Sequence, residues 1–254
     1  MKKKKNTEDN YQELYTVDKK TKERHGSYLR IHKISKDTLI KGSYENGFKT
    51  GPWSYYDKKN RLYLEYDFDQ QQFVHRENNF NKGDSIQVQF GNGFKLTKVD
   101  APAIYLGYKN EIERSLNVSF EPPSNFLNKG NSGMVMASFE INLKGEMENL
   151  IIETSFDKSL EKPIKNSLEK FKTGWVPAEV KGQKVSSKMY VIYNLTFTTN
   201  PSEEKVSIGK PKADLILVNF YFMGISRNTG RRSLGTVQAP YNPNMRQYNA
   251  VQRN

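Results

Sequence analysis

Ser132-Gly133-Met134-Val135-Met136-Ala137-Ser138-Phe139-Glu140-Ile141-Asn142-Leu143-Lys144-Gly145 is the stretch from which the rest of the chain is read. Val135, Ala137, Phe139, Ile141 and Leu143 fall on every second position, with Ser138, Glu140 and Asn142 between them. A period of two predicts a strand with one dry and one wet face. Lys144-Gly145 supplies a turn, and Leu150-Ile151-Ile152 begins the return. Leu160, Ile164, Leu168 and Phe171 then follow at helical spacing, one stripe of an amphipathic helix. Pro163 sits near its start, where a missing N–H costs little, and Gly174 closes it. A long strand completes the unit. Val185, Ser187, Met189, Val191, Tyr193, Leu195 and Phe197 share one face, opposite Lys188, Tyr190, Asn194 and Thr196. The order strand, strand, helix, strand predicts an α+β layer, with a helix packed on an antiparallel sheet.

The segments "SGMVMASFEINLKGEMENLIIETS", "GWVPAEVKGQKV" and "YVIYNLTFT", in that order, resemble the C-terminal domain of the TonB energy transducers. The lead-in "APAIYLGYKNEIERSL", followed by "VSFEPP", resembles that family's entry segment, so the likeness runs from Pro102 to Thr198. Leu106-Gly107-Tyr108 stands where Pro-Gly-Gly is usual, and nothing before the domain resembles a transducer's membrane anchor or Pro-rich spacer. The resemblance implies a ββαβ domain whose last strand borders an edge where a partner's extended peptide adds. Main-chain hydrogen bonds supply the affinity in such pairing, and alternate side chains the selectivity. Lys184, Ser186, Lys188, Tyr190, Ile192 and Asn194 would flank that peptide, with Lys184 and Lys188 favouring an acidic one. Two plainer readings stand beside it. The lysines simply protect an edge, or the edge is covered by the apolar run Leu215 to Met223.

An earlier region has a different rhythm. His25-Gly26-Ser27-Tyr28 is echoed by Thr50-Gly51-Pro52-Trp53, and Asn46-Gly47 is a hairpin signal. "KTGPWSYYDKKNRLYLEYDF" resembles the aromatic-glycine repeats of MORN/YwqK-like proteins, with Asn60 in place of a second Gly. Because an array needs three or more units to bury a continuous core, residues 73–98 are expected to complete the same β-meander. Ile86, Val88 and Phe90 alternate there, Asn92-Gly93 turns, and Phe94 and Leu96 return. The expected organisation is a charged flexible arm (1–24), a MORN/YwqK-like β-repeat domain (25–98) and a TonB C-terminal-like domain (99–200). An extension with a possible added strand (201–223) and a disordered Arg-rich tail (224–254) follow. The transducer resemblance would put Trp175-Val176-Pro177 near a binding surface; the reading favoured is that Trp175 packs across the end of the helix as a core anchor, with Pro177 fixing the exit turn.

The chain has 254 residues, 35% hydrophobic, no Cys and a formal charge of +12, with mean hydropathy −0.81. Two modest folded units with solvated ends fit these figures. Disulfides, thiolate metal sites and cysteine nucleophiles are excluded. No apolar run approaches the ~18 residues that a membrane helix needs. Met1 to Lys5 resembles the start of a signal peptide, but Asn6-Thr7-Glu8-Asp9-Asn10 follows instead of an apolar core, so no export signal is expected. That leaves two compartments open: the cytosol, or the envelope with a signal lost or replaced.

Catalytic constellations are missing. His25, His32 and His75 lack a second ligand at metal spacing, and there is no H-E-x-x-H. Gly91-Asn92-Gly93 is a turn, not a phosphate loop. No G-x-S-x-G elbow occurs, and Glu146, Glu148 and Glu153 lie along one hairpin with no cleft implied. The expectation is a non-enzymatic protein with no cofactor and no small-molecule substrate. By resemblance it is a bacterial cell-envelope adaptor or structural subunit, in the periplasm or on the periplasmic face of the outer membrane. Its partner would be another envelope protein or a larger complex. The alternative is a basic, nucleic-acid-associated cytosolic protein using its arm and tail, with Arg227, Arg231 and Arg232 as contacts.

Overall fold

A computed structural model describes residues 2–7, 11–57, 59–77, 85–198 and 214–223. They fall into two compact units: residues up to 77 with Leu106–Glu111, and residues 85–105 with those from Ile112 onward.

The first unit is one seven-stranded antiparallel meander. Its strands are β1 (Lys2–Thr7), β2 (Tyr11–Val17), β3 (Arg24–His32), β4 (Thr38–Glu45), β5 (Phe48–Tyr56), β6 (Leu62–Asp67) and β7 (Gln72–Arg76), paired in sequence order. Tyr15, Tyr28, Gly42, Trp53, Tyr66 and Phe73 lie on neighbouring strands in one cross-strand row. The rings interlock: Tyr28 stacks on Trp53 at 5.2 Å, and Tyr66 meets Phe73 edge-on at 5.1 Å. Gly42 makes room for this. A Cβ there would lie 2.3 Å from Cδ2 of Trp53, so the indole rests directly on backbone. Trp53 Nε1–H donates to the Ser43 carbonyl at 3.0 Å, which satisfies the one polar atom of a side chain only 1% exposed.

Two expectations fail in this unit. Residues 2–7 and 11–17, expected as part of a flexible arm, form the first two strands. Leu14 faces Leu29 and Tyr15 faces Tyr28 across the ladder, so β2 continues the aromatic row despite its charged neighbours. The hairpin at 85–98 does not complete this sheet but joins the other one.

The second unit contains β8 (Ser85–Phe90), β9 (Gly93–Lys98), β10 (Ile104–Tyr105), α1 (Glu111–Ser119, from Ile112), α2 (Ser124–Lys129), β11 (Gly133–Ile141) and β12 (Met147–Ser155). These are followed by α3 (Glu161–Leu168), β13 (Trp175–Val176), β14 (Ala178–Val180), β15 (Gln183–Val185), β16 (Ser187–Thr198) and β17 (Leu215–Met223). The main sheet runs β12-β11-β16-β8-β9, with β17 added to β16 in parallel. Val135, Ala137, Phe139 and Ile141 are buried together with Met189, Val191, Tyr193 and Leu195. Leu143, expected on the same face, is 58% exposed, because β11 stops at Ile141 and Asn142 opens the turn. Gly145 in that turn has φ +76, and a Cβ on it would meet the Trp175 carbonyl oxygen at 2.0 Å. Leu160, Ile164, Leu168 and Phe171 are buried as one stripe, carried by a short helix flanked by two 3-10 turns. Trp175 is buried, and its Nε1–H donates to the Phe171 carbonyl at 2.8 Å.

The expected α+β class, with its ββαβ core, is overturned. Of the described residues, 57% are strand and 15% helical, so the fold is mostly β. Local period does not reveal which distant strands will join a sheet. Here β8, β9 and β17 enlarge the sheet around β11 and β16, while the helices stay short.

Candidate binding edges

Of the residues expected to flank a partner peptide, Lys188, Tyr190, Ile192 and Asn194 lie on β16 inside the second sheet, while Lys184 belongs to the small β14-β15 hairpin and Ser186 links the two. β16 pairs with β11 along one side, from Ser187 opposite Ile141 to Leu195 opposite Gly133. On its other side it pairs with β8 at Ser187 and with β17 from Tyr190 to Thr198. Tyr190 lies between Ser138 and Leu215, and its N–H donates to the Asp214 carbonyl at 2.8 Å. Ile192 lies between Met136 and Leu217, and Asn194 between Met134 and Asn219. Asn194 is buried, and its Nδ2 donates to Asn219 Oδ1 at 3.0 Å. Lys188 faces Glu140, with its Nζ 3.5 Å from Glu153 Oε1. The Ser186 carbonyl accepts from Gln89 N–H, and Lys184 lies in β15 opposite Glu179. The backbone that was to receive a peptide is thus occupied by the chain's own strand. Arg227, Arg231 and Arg232 lie outside the described residues, as do 201–213 and 224–254.

β17 is held firmly. Ile216, Val218, Phe220 and Phe222 alternate into the core. Phe220 stacks on Tyr193 at 5.8 Å and Phe222 on Phe197 at 5.0 Å. Burying four such side chains contributes about 6–12 kcal/mol, at roughly 1.5–3 each. A peptide that displaced β17 would have to replace that burial.

Other edges stay open among the described residues. β17 pairs with β16 on one side only, and Leu215, Leu217, Asn219 and Tyr221 on its second face are half-buried. None of its nine residues is charged, and none is Pro. Sheet edges are usually defended by just those residues. β12 carries Glu148 and Glu153 and β9 carries Lys95 and Lys98, so both are defended in that way. β1 is the extreme case, with four consecutive exposed lysines. The apolar run of β17 was readable as a strand. That it covers the edge of β16 was one of the readings the sequence offered; its parallel direction and its register were not, because they leave no mark in local sequence.

The first unit also buries a charged cluster that sequence reasoning missed. Glu13, 5% exposed, accepts from Tyr28 Oη, from Arg30 Nη2 at 3.1 Å and from Arg24 Nη2 at 3.3 Å. Burial works to raise the Glu13 carboxyl, but those hydrogen bonds and the two guanidinium charges hold it below the ordinary carboxylate range. Arg30 Nη1 reaches Glu111 at 2.8 Å. Lys49 Nζ sits 4.5 Å from the Trp53 ring and 5.0 Å from Phe68. Burial, reinforced by the Arg30 charge, pushes its ammonium down to about 8. Arg24, Arg30 and Lys49 against Glu13 and Glu111 leave one cation in excess. No ion pair involves Lys49 among the described residues. Where its partners are satisfied, a buried polar network of this kind rigidifies the sheet that carries it.

The remaining polar residues singled out from sequence are engaged by neighbours in their own turns and hairpins. His32 Nδ1 contacts Ser35, and His75 faces Glu65 in the ladder. Glu146 and Glu148 both accept from Asn142 Nδ2, and Glu153 accepts from Ser138. Among the described residues no three His, Asp or Glu come together as metal ligands, and no helix is long and apolar enough to cross a membrane. Set against protein-family profiles, curated proteins and solved structures, the chain matches none.

Proposed function

We propose that this chain is a non-enzymatic cell-envelope protein, an adaptor or structural subunit that pairs with an extended segment of another envelope protein. The observation that carries the reading is the outer edge of β17, nine uncharged residues without Pro, paired on one side only among the described residues. Such an edge offers a row of unused backbone donors and acceptors, together with half-buried Leu217 and Tyr221 to select apolar side chains. The envelope assignment rests on the resemblance of residues 102–198 to transducer C-terminal domains. The edge at Lys184 to Asn194 is replaced in this reading by the one that β17 presents.

The test is a photo-crosslinking amino acid at Leu217 or Tyr221 in source cells, with fractionation of the same cells. The expected result is a crosslink to an extended segment of an envelope protein, weakened when the other position carries Lys. A cytosolic location, or crosslinks no stronger than from exposed Leu143, would reject the proposal.

A further inference from the structure

We infer that β1 is a second pairing edge, selective for an extended peptide carrying four or more consecutive acidic residues. Lys2, Lys3, Lys4 and Lys5 lie opposite Val17, Thr16, Tyr15 and Leu14, so none has a carboxylate directly across from it, and the diagonal Glu13 is engaged by Tyr28, Arg24 and Arg30. All four are exposed, none forms an ion pair among the described residues, and no strand there pairs with the outer side of β1. Side chains alternate across a sheet, so Lys2 and Lys4 occupy one face and Lys3 and Lys5 the other.

That alternation identifies the partner. A bilayer surface or a nucleic-acid duplex laid on the sheet meets one face, and so two of the four ammonium groups. A strand added to the edge sends its own side chains alternately to both faces and opposes all four. Lysines on an edge repel neutral apolar strands and second copies of the same edge. They leave acidic strands as the favoured class, an edge that excludes and selects with the same residues. Residues 1–254 contain no run of four acidic residues, and the occupant inferred is a segment of another molecule. The site is independent of the β17 edge, in a different unit and with opposite partner chemistry.

The test measures fluorescence anisotropy with the full chain and two labelled peptides of equal composition. One has four consecutive Glu among Thr and Val, and the other has Glu at every second position. Two additional opposite-charge cross-strand pairs predict binding roughly two- to thirtyfold tighter for the consecutive peptide, weakening with salt. Backbone amides of residues 2–7 should gain exchange protection on binding. Lys2→Glu with Lys4→Glu, and Lys3→Glu with Lys5→Glu, should weaken it to similar extents. Equal binding of both peptides, loss through one lysine pair alone, absent amide protection, or stronger binding to phosphatidylglycerol vesicles or duplex DNA would each overturn the inference.

Discussion

The two sheets are assembled by opposite kinds of connection. In the first unit every strand pairs with its neighbour in sequence, and the core is a row of aromatic rings across successive hairpins. In the second, strands next to each other in sequence also pair (β8 with β9, β11 with β12, β16 with β17), but β16 joins these pairs into one sheet by meeting β11 and β8 across long stretches of chain. The first sheet keeps charge in its interior and lysines on its edge, whereas the second has an apolar last strand and an undefended outer edge. Local pairing lets a sheet form from short-range signals. Non-local pairing makes one late strand essential to everything it covers.

The largest expected effect comes from breaking that dependence. Ending the chain before Leu215, or substituting Phe220→Asp, removes or charges a strand whose burial contributes about 6–12 kcal/mol, the scale of a domain's whole stability. The second unit should lose its cooperative unfolding transition while amide signals from β2 to β7 persist. If the shortened chain keeps both transitions, β17 is dispensable, and the edge of β16 becomes accessible to peptides after all.

Trp53→Ala should destabilise the first unit by about 3–5 kcal/mol through the cavity it leaves. Gly42→Ala should cost about 1–3 kcal/mol, because the new Cβ drives into the indole. Denaturant titration monitored separately in the two units checks both. An equal loss in the second unit would show that the sheets unfold as one body.

Lys49 sharpens the contrast in charge. Its folded pKa of about 8 lies below the ordinary lysine value near 10.4, so the folded state sheds the proton first. Between these values the unfolded chain binds more protons, and stability of the first unit should rise with pH through that window. Lys49→Met should flatten this rise and stabilise the unit at pH 7 by roughly 1–3 kcal/mol. A variant less stable than the parent at pH 7 would show that the cation–π contacts outweigh the burial.

The smallest effects belong to two turn aspartates, one in each unit. Hydrogen bonds from Arg61 hold Asp57 at about 2, and hydrogen bonds from Lys129 and Ser159 hold Asp157 at about 2. Their contributions are present above the ordinary Asp value and are lost as pH falls toward 2. Asp57→Asn and Asp157→Asn should each remove part of the acid sensitivity of their own unit only, as read from unfolding midpoints between pH 5 and pH 2.

The periodicities around Val135 and Leu160 expose the right side chains to the core because a side chain's facing depends only on its neighbours in sequence. The echo of Gly26-Ser27-Tyr28 in Gly51-Pro52-Trp53 belongs to the same class, and Tyr28 and Trp53 enter one cross-strand row. The charged arm misled for a related reason. Composition suggests solvation, but β2 needs only Leu14, Tyr15 and Val17 to continue a ladder that β3 has already templated. The Glu13 cluster left no trace, since its members come from β2, β3, β5 and the start of α1.

Sequence alone therefore determined the inward face of β11 as far as Ile141 and of the stripe from Leu160 to Phe171, turns such as Asn46-Gly47 and Lys144-Gly145, and an apolar run near the end that can form a strand. Only the tertiary structure decided which strands are neighbours, and with that which edges are open. Strands are joined by backbone hydrogen bonds common to every residue, so pairing partners are selected by closure of the whole core. For that reason the edge predicted at Lys184 to Asn194 is closed from Tyr190 onward by Leu215 to Met223, while among the described residues β17 and β1 are two of the strands paired on one side only.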